Sequence, residues 1–455
     1  MSQLAHRKQA PRIAASPDLL LFPGHPGWDD ARRAWNLSVD QRPAAVALPE
    51  TVDDVVAAVD HARVTGLRVA VQATGHGAGS TSLDGTLLVN TVRMSGVEVD
   101  VASRVARVAA GAVWKDVVDA AAPHGLTALH GSAPDVGVVG HSLGGGIGWL
   151  ARKHGLSSSS VLSAEIVTAD GQVVRADRET DPDLFWALRG GGGSFGVVTE
   201  VEIALYPVTE AYAGWLAWPV ERAVAVLARW AEWTQDAPDE VTSVGRLLQL
   251  PPAPEVPEPL RGRRLVVVEA AFLGDERAGR ELLGPLRTLG PEIDTFGVVP
   301  ARELIDLHRD PPAPAPGRGE GWLLDGFDPA VAAAVLEAAA MDGTSPLFSV
   351  EVRHLGGALG RPDPNGGVLS HLDAPYAMYS IGVAPVPEAA QATQERIGAI
   401  RTAAAPWLSR SAYFNFAEGA VDGGSLYPAG VYERLTEIRA ELDPDGVFRA
   451  KHAID

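Results

Sequence analysis

A serine flanked by glycines is the first candidate for chemistry in this sequence. Gly140, Ser142 and Gly144 fit the pattern G-x-S-x-G, which in hydrolases places a nucleophilic serine on a sharp turn between a strand and a helix. The flanking residues do not favour that turn. A proline and several glycines interrupt residues 131–141, and the glycines after Ser142 each cost about 1 kcal/mol in a helix relative to alanine. A hydrolase is therefore the least favoured function.

Three glycine-rich segments, residues 73–80, 140–148 and 189–196, indicate a different chemistry. Residues without a Cβ atom let the backbone approach a ligand closely, and runs of free N–H groups bind anions. None of the three fits a P-loop, and no Rossmann unit can be placed around them. Any one of them could be a plain turn. Together they predict an extended cofactor with a diphosphate and a flat ring.

Longer stretches carry a resemblance to one protein family. They are VQATGHGAGS, GSAPDVGVVGHSLGGGIGWLARKHGL, DPDLFWALRGGGGSFGVVTEVEIALYP, EVRHLGGAL, YFNF and YERLTEIRAELDPDGVF. In type and order they are similar to the berberine-bridge-enzyme-like FAD-linked oxidases of the vanillyl-alcohol-oxidase or PCMH flavoprotein superfamily. The resemblance covers nearly the whole chain. It implies an α+β fold, with a PCMH-type FAD-binding domain of two α+β subdomains and a substrate domain whose antiparallel sheet is covered by helices.

The resemblance implies that FAD is bonded covalently to His76. Thr74 stands where the family has a glycine, which is a mild departure. Ala133 stands where many members have a second, cysteine tether, and the chain has no cysteine, so FAD is expected to be attached through His76 only. Val136 occupies the family position that influences access of O₂, and its modest size is compatible with an oxidase. The other implied cofactor contacts are Gly75, Gly77, Ala78, Ser80, Ser132, Gly137, Gly140, His141, Ser142, Gly144, Gly145, Gly146, Gly148, Val198, Tyr413 and Asn415.

Two candidates for a catalytic base follow from the same resemblance. Tyr413 and Asn415 match the family's Y-x-N motif beside the flavin, but a tyrosine of ordinary pKa, about 10, must be strongly acidified to act as a base. Glu351 is the second candidate. On an alternating strand, Glu351 and Arg353 share one face, which is either part of the substrate pocket or a solvated ladder of opposite charges.

Arg353, Tyr376 and Tyr379 are the candidate substrate contacts. For the two tyrosines, packing in the core is the alternative interpretation. A metal site is not predicted, because no set of histidines and carboxylates has the spacing of metal ligands.

The predicted elements divide the chain into two α+β domains. Residues 1–208 and 409–455 form the FAD-binding domain, and residues 209–408 form the substrate-binding domain. Helices are expected near residues 51–62, 114–125, 223–234, 328–340 and 388–404. Hairpins are expected over residues 96–112 and 161–177, and a further strand is expected near the YFNF segment.

Composition excludes some partners. The chain of 455 residues carries a net charge of −19, which opposes binding to nucleic acids and anionic membranes. No apolar run approaches the roughly 20 residues of a membrane span, and no secretion signal is visible, so a cytoplasmic location is expected.

The function expected from these residues is an FAD-dependent oxidase. It would oxidise a small organic molecule, an alcohol or phenol-like compound, with hydride transfer to flavin N5. A secondary metabolite and a sugar-bearing compound both fit this expectation. O₂ would be the acceptor and H₂O₂ the product. The alternatives are a flavin dehydrogenase that uses another acceptor, and a non-catalytic flavoprotein that sequesters a drug-like molecule.

Overall fold

The computed structural model describes residues 19–79, 81–254, 256–419 and 421–454, so Ser80 lies outside the described residues. The fold is α+β. The strands are β1 (Leu20–Leu21), β2 (Ala45–Ala47), β3 (Arg68–Gln72), β4 (Thr86–Asn90), β5 (Val97–Asp100), β6 (Val105–Ala109), β7 (Val161–Val167), β8 (Val173–Asp177), β9 (Val197–Ala204), β10 (Glu210–Pro219), β11 (Val241–Gln249), β12 (Arg264–Phe272), β13 (Ile293–Asp294), β14 (Gly297–Pro300), β15 (Gly317–Leu324), β16 (Leu347–His354) and β17 (Tyr376–Val383).

The helices complete the inventory of the described ranges. They are α1 (Trp28–Ala31), α2 (Val52–Thr65), α3 (Trp114–Ala121), α4 (Val138–Leu143), α5 (Ala151–His154), α6 (Pro182–Gly191), α7 (Ala223–Gln235), α8 (Glu276–Leu282), α9 (Gly284–Arg287), α10 (Pro329–Ala339), α11 (Pro387–Ala404), α12 (Gly423–Leu426) and α13 (Ala429–Leu442). Short 3₁₀ turns join several of them.

The first sheet positions the first glycine-rich loop. Its strand order is β1-β2-β4-β3, and β2, β4 and β3 run parallel. The predicted helix α2 connects β2 to β3 and begins at Thr51, whose hydroxyl accepts a hydrogen bond from the backbone N–H of Asp54 while the Asp54 carboxylate accepts one from the Thr51 N–H. This capping box fixes the start of the helix. The loop of residues 73–79 follows directly from the carboxyl end of β3.

The second sheet confirms both predicted hairpins. Its order is β5-β6-β9-β7-β8, with all neighbours antiparallel. The glycine-rich segment before β9 and helix α6 lie beside its core, which is filled by Trp114, Phe185 and Phe195.

The third sheet is the wall of the site. Within the described residues it has eight antiparallel strands in the order β13-β10-β12-β11-β16-β17-β15, with β14 also paired to β10. Helices α7, α10 and α11 cover one face, as the sequence predicts, and pack there on apolar side chains such as Leu247, Val350 and Val352. The other face is turned toward the glycine-rich loops.

The structure also bears on the strand predicted near the YFNF segment and on the predicted division into domains. The YFNF segment, residues 413–416, forms a turn and a short irregular stretch, so the strand predicted there is wrong. All strands of the eight-stranded sheet fall within residues 209–408, which favours the predicted domain division, although the boundaries themselves stay a prediction. No described helix is both long and apolar enough to cross a membrane.

Candidate active site

A cavity of about 1240 Å³ lies between the glycine-rich loops and the open face of the eight-stranded sheet. Pockets for single drug-sized ligands typically hold about 300–1,000 Å³, so this one has room for a large cofactor and a second molecule. Most predicted site residues line it. They are Thr74, Gly75, His76, Gly77, Ala78, Ser132, Val136, Gly137, Gly140, His141, Val198, Glu351, Arg353, Tyr379, Tyr413 and Asn415.

The loop of residues 73–79 holds His76 in one orientation. Gly75 has φ +83°, and a Cβ there would lie 2.6 Å from the Ala34 Cα atom, so the turn requires glycine. The Trp35 backbone N–H donates to the Thr74 carbonyl at 3.0 Å, and the Trp35 ring stacks on His76 with centroids 4.4 Å apart. The Thr74 hydroxyl lies 2.8 Å from Nδ1 of His76. The departure from glycine at position 74 therefore adds a hydrogen bond to the histidine.

The second ring nitrogen of His76 is available. Nε2 is buried and has no hydrogen-bond partner among the described residues, although Asp135 Oδ1 lies 3.4 Å away. The Trp35 indole N–H donates to the other Asp135 oxygen at 2.6 Å. Partial burial alone would raise the pKa of Asp135, but its contacts with His76 and Trp35 outweigh burial and lower it. A carboxylate that is ionised at neutral pH thus lies beside Nε2 of His76.

The structure excludes Ser142 as a nucleophile. Ser142 lies inside the short helix α4, is fully buried, and its hydroxyl has no partner in the described part of the chain. The segment before it is a loop rather than a strand. A serine without a bonded base is not activated, so the nucleophile-elbow interpretation fails on geometry.

Ser142 also does not line the cavity, so the predicted polar contact with the cofactor is corrected. His141 does line it. Burial lowers the pKa of His141 to about 4, and its imidazole is therefore neutral at pH 7.

The glycines after Ser142 have a different role from the one predicted. Gly144, Gly145, Gly146 and Gly148 do not line the cavity. They are instead in close contact with other parts of the protein. A Cβ at Gly144 would lie 1.9 Å from Asn415 Oδ1, one at Gly145 3.2 Å from the Tyr413 ring, one at Gly146 2.5 Å from Ser157 Oγ, and one at Gly148 1.7 Å from the His130 carbonyl. Gly144 and Gly145 thus let the C-terminal Y-x-N segment pack closely on the glycine-rich loop of residues 140–148, and Gly146 and Gly148 let the same loop pack on Ser157 and His130.

Tyr413 and Asn415 are hydrogen-bonded to each other and to the glycine-rich loop of residues 140–148. The Tyr413 hydroxyl accepts hydrogen bonds from the Gly146 backbone N–H at 3.0 Å and from the Asn415 amide at 3.3 Å. The same amide donates to the His141 carbonyl at 2.9 Å. Burial nevertheless raises the pKa of Tyr413 above its ordinary value. The acidification that a tyrosine base needs is not provided by these surroundings.

Glu351 belongs to a buried group of charges that the sequence did not bring together. We call this group the charged cluster, and its members are Arg246, Glu269, His308, Glu351 and Arg353. All five line the cavity, and each is buried or nearly so. The expected alternation of strand β16 is confirmed, because Glu351 and Arg353 face the cavity while Val350 and Val352 pack in the core below. A solvated ladder of charges is excluded by this burial.

His308 is the centre of the charged cluster. Its Nδ1 lies 2.5 Å from Glu269 Oε2, and its Nε2 lies 2.7 Å from Glu351 Oε2. Arg353 Nε donates to the other Glu351 oxygen at 2.7 Å, and Arg246 donates to Glu269 at 3.2 Å and to the His308 carbonyl at 2.8 Å. Each carboxylate is therefore paired with both a histidine and an arginine, which is what buried charges require.

The pairings set the protonation of the charged cluster. Burial and Arg246 lower the pKa of His308, but the carboxylates of Glu269, Asp310 and Glu351 outweigh them and raise it to about 9. Burial would raise the pKa of Glu351, and the charges of Arg353, His308 and Arg246 overcome burial and hold it far below its usual range. At pH 7 His308 is a cation, and Glu351 is an anion that faces the cavity.

The two candidate substrate tyrosines are separated by the sheet. Tyr379 pairs with Glu351 across strands β16 and β17, lines the cavity and donates to Glu418 at 2.9 Å. Tyr376 lies on the opposite face, where its hydroxyl is 2.6 Å from that of Thr234 in the apolar core. The core alternative holds for Tyr376, which is therefore corrected to a structural residue.

A signal for the missed members was present in the sequence. Glu269 is the single charged residue inside the apolar run of strand β12. Arg246 is likewise the single charged residue of strand β11. Charged side chains are almost never fully buried without a partner, so a lone charge in a buried strand indicates one. His308 carries no such signal, because it lies in an irregular loop before a proline-rich segment.

The cofactor side of the cavity fits FAD. A Cβ at Gly77 or Gly140 would meet nothing within 4 Å, so both loops leave open space at the wall. The free Nε2 of His76 lies in the same wall. Loops of this kind, rich in glycine and close to backbone N–H groups, suit a diphosphate, and the length of the cavity leaves the charged cluster for a substrate.

Comparison with known proteins supports this assignment. Residues 43–177 match the family model described as FAD binding domain, and residues 412–455 match the one described as Berberine and berberine like. The chain is 37% identical over 201 residues to (R)-6-hydroxynicotine oxidase of Paenarthrobacter nicotinovorans, and 37% identical over 217 residues to glucooligosaccharide oxidase of Sarocladium strictum. These alignments cover 44% and 46% of this chain. They span 44% and 43% of the relatives, less than half of each.

A solved structure agrees over the full length. The crystal structure of 6-hydroxy-D-nicotine oxidase from Arthrobacter nicotinovorans superposes with a TM-score of 0.84 at 26% identity, covering 99% of this chain and all of that one. The fold is thus the one seen in that oxidase, and the N-terminal part of the chain matches an FAD-binding domain. More narrowly, its C-terminal segment matches the berberine-like family model, and the chain as a whole is similar to an oxidase of known structure.

Proposed function

We propose that this protein is an oxidase that removes two electrons from a small organic alcohol, phenol-like compound or amine and passes them to O₂. FAD, when bound, supplies the acceptor for a hydride from the substrate carbon. The observation that carries the proposal is the placement of an ionised, buried Glu351 on the wall opposite the glycine-rich loops.

The residues that line the cavity have different roles in the proposed reaction. Glu351 and His308 together take the proton from the substrate hydroxyl or amine, since the pair is turned to the cavity, whereas burial keeps Tyr413 protonated. Arg353 holds Glu351 in place through its Nε contact, and His308 holds the other oxygen. Tyr413 and Asn415 act as a fixed hydrogen-bonding pair beside the glycine-rich loop of residues 140–148.

We further propose that FAD is tethered once, through His76. Three features support a tether there: the ring is fixed by Trp35, one nitrogen is held by Thr74, and the other has no hydrogen-bond partner among the described residues. The Asp135 carboxylate stabilises the positive charge that develops on the imidazole. The lack of cysteine leaves no thiol for a second bond.

An experiment without a known substrate separates oxidase from dehydrogenase. The purified holoenzyme is reduced with a stoichiometric amount of dithionite and mixed with air-saturated buffer in a stopped-flow instrument. Return of the yellow colour within milliseconds to seconds, with one H₂O₂ formed per flavin, supports the oxidase. Reoxidation over minutes assigns the electrons to another acceptor.

Catalysis is tested next with named compounds. Anaerobic addition of (R)-6-hydroxynicotine, cellobiose and 4-propylbenzyl alcohol is followed by flavin absorbance, and bleaching identifies an oxidised compound. Binding of a compound without bleaching supports the sequestering alternative.

A further inference from the structure

The cavity changes character along the strands of the eight-stranded sheet. Beyond the charged cluster, toward the proline-rich loops, the side chains that face the cavity are apolar. We call this surface the apolar band, and it consists of Trp215, Leu248, Leu250, Leu265, Val267 and Ile381. Strand register makes the change abrupt, because Arg246 pairs with Val267, and Leu248, two residues along the same strand, pairs with Leu265.

The covering segments add few hydrogen-bonding groups. Pro251, Pro257, Pro311 and Pro312 line the cavity at this end, and proline has no backbone N–H to donate. Ser349, next to the apolar band, already accepts a hydrogen bond from Arg246 at 3.0 Å. The exposed Arg309 guanidinium lies 5.3 Å over the Trp215 ring at the edge.

A sugar chain is a poor occupant of such a surface. Each hydroxyl that loses water without gaining a partner weakens binding roughly five- to a hundredfold. An apolar body gains affinity with each methylene that it buries there. The charged cluster, in contrast, offers hydrogen-bonding partners for the polar end of a bound molecule.

We infer that the substrate is an apolar molecule carrying a single hydroxyl or amine at one end, with that end at the charged cluster and its body against the apolar band, rather than an oligosaccharide. This inference rests on the proposed function, because it takes the bound molecule to be the substrate. The way in which the molecule binds can be measured whether or not it is oxidised.

Equilibrium binding tests the inference apart from catalysis. The holoenzyme is titrated anaerobically with benzyl alcohols carrying methyl, propyl and hexyl groups at the para position, and with cellobiose, and shifts in flavin absorbance give each Kd. We expect Kd to fall about fourfold per added methylene. We expect cellobiose to bind at least a hundredfold more weakly than the hexyl compound. A Kd that does not depend on chain length, or stronger binding of cellobiose, overturns the inference, as does the absence of any shift at millimolar alcohol.

Substitution locates the binding surface. Leu248→Asn places an amide in the apolar band and should reduce the dependence of Kd on chain length to about twofold per methylene. Leu162→Asn makes the same change on an exposed strand residue outside the cavity and should leave the dependence unchanged. If Leu248→Asn binds no FAD, Ile381→Asn, on another strand, makes the same test. Alcohols that bind with the expected trend but never bleach the flavin contradict the proposed oxidase and leave the binding inference standing.

Discussion

His308 Nε2 lies 2.7 Å from Glu351 Oε2 while its Nδ1 lies 2.5 Å from Glu269, so one buried imidazole joins two carboxylates. This arrangement is stable with the proton on the histidine, because both ring nitrogens then donate to an anion. The same proton limits the basicity of Glu351. The protonation of His308 therefore connects the stability of the cavity wall to its chemistry.

The rate of flavin reduction should rise with pH through the pKa of His308. Below about pH 9 the imidazolium of His308 is bonded to the Glu351 carboxylate and restrains that carboxylate from accepting a proton. Above that pH, His308 is neutral and the Glu351–His308 pair takes the substrate proton readily. The expected rate at saturating substrate increases at least tenfold from pH 7 to 9 and levels off above about pH 10. It is measured by anaerobic stopped flow with the compound that bleaches the flavin fastest.

His308→Gln keeps a hydrogen-bonding side chain but cannot titrate. Its rate should lose the rise near pH 9, whereas the exposed control His124→Gln should retain it. The groups that face His308 are Arg246, Asp310 and the carboxylates of Glu269 and Glu351, and the pKa of each of these two glutamates is held below its usual value. An unchanged profile in His308→Gln would assign the ionisation to another group.

Stability should depend on pH in the opposite direction. The pKa of His308 is raised from about 6.5 in the unfolded chain to about 9 in the folded one, so its contribution is complete below pH 6.5 and is lost as the pH rises through 9. The shift corresponds to at most about 3 kcal/mol of unfolding free energy. Urea unfolding of the holoenzyme at pH 6, 8 and 10 measures this loss. The His308→Gln variant should be less stable at pH 6 and should lose less stability between pH 6 and 10.

The strand that carries Glu351 could be predicted from sequence, and the charged cluster could not. The alternation of Glu351 and Arg353 with Val350 and Val352 fixes which residues share a face. It says nothing of the side chain that will meet Glu351 from elsewhere in the chain, because His308 approaches from an irregular loop 43 residues earlier.

Strand β15 shows why some of the sheet was missed. Its sequence, GRGEGWLL, has glycines that disfavour strands. The ring of Tyr379 on the neighbouring strand lies over two of them, since a Cβ at Gly319 or Gly321 would lie 2.3 or 2.9 Å from Tyr379 atoms. The neighbour thus supplies the packing that the glycines lack, which is a tertiary effect that local sequence does not contain.

His76→Ala should release the flavin on acid precipitation. The wild-type pellet is expected to be yellow, and that of His76→Ala white with FAD in the supernatant, because the substitution removes the imidazole that forms the tether and the chain has no cysteine. His124→Ala removes an exposed histidine and should leave the pellet yellow. Thr74→Val removes the hydroxyl that lies 2.8 Å from Nδ1 of His76, and we expect it to lower the covalent fraction measured by absorbance of the denatured protein. A colourless wild-type pellet from a yellow protein refutes the covalent bond.

Ser142→Ala should leave both activity and stability nearly unchanged. The Ser142 hydroxyl is buried without a partner among the described residues, so its removal changes the unfolding free energy by no more than about 1 kcal/mol. Ser157→Ala is the matched comparison, because the Ser157 hydroxyl donates to the Leu129 carbonyl at 2.5 Å, and its removal should destabilise the protein by about 1–3 kcal/mol. Loss of oxidation in a folded Ser142→Ala variant that binds FAD would return a chemical role to this serine.

Gly144→Ala should damage the site without touching the cavity. Its new methyl group would lie 1.9 Å from Asn415 Oδ1 and 2.8 Å from the Phe414 ring, so the Y-x-N segment must move away from the glycine-rich loop of residues 140–148. The Tyr413 hydroxyl then loses its hydrogen bond from the Gly146 backbone N–H. We expect a drop of several degrees in Tm and at least a tenfold lower rate of flavin reduction.

Gly430→Ala is the control for this change. Gly430 lies in helix α13, and a Cβ there meets nothing within 4 Å, so alanine should raise the unfolding free energy by about 0.5–1 kcal/mol. Thermal unfolding and anaerobic stopped flow on both variants measure the contrast. Equal behaviour of the two variants would show that the contact between Gly144 and Asn415 does not fix the Y-x-N segment, and the role assigned to the glycines after Ser142 would then be lost.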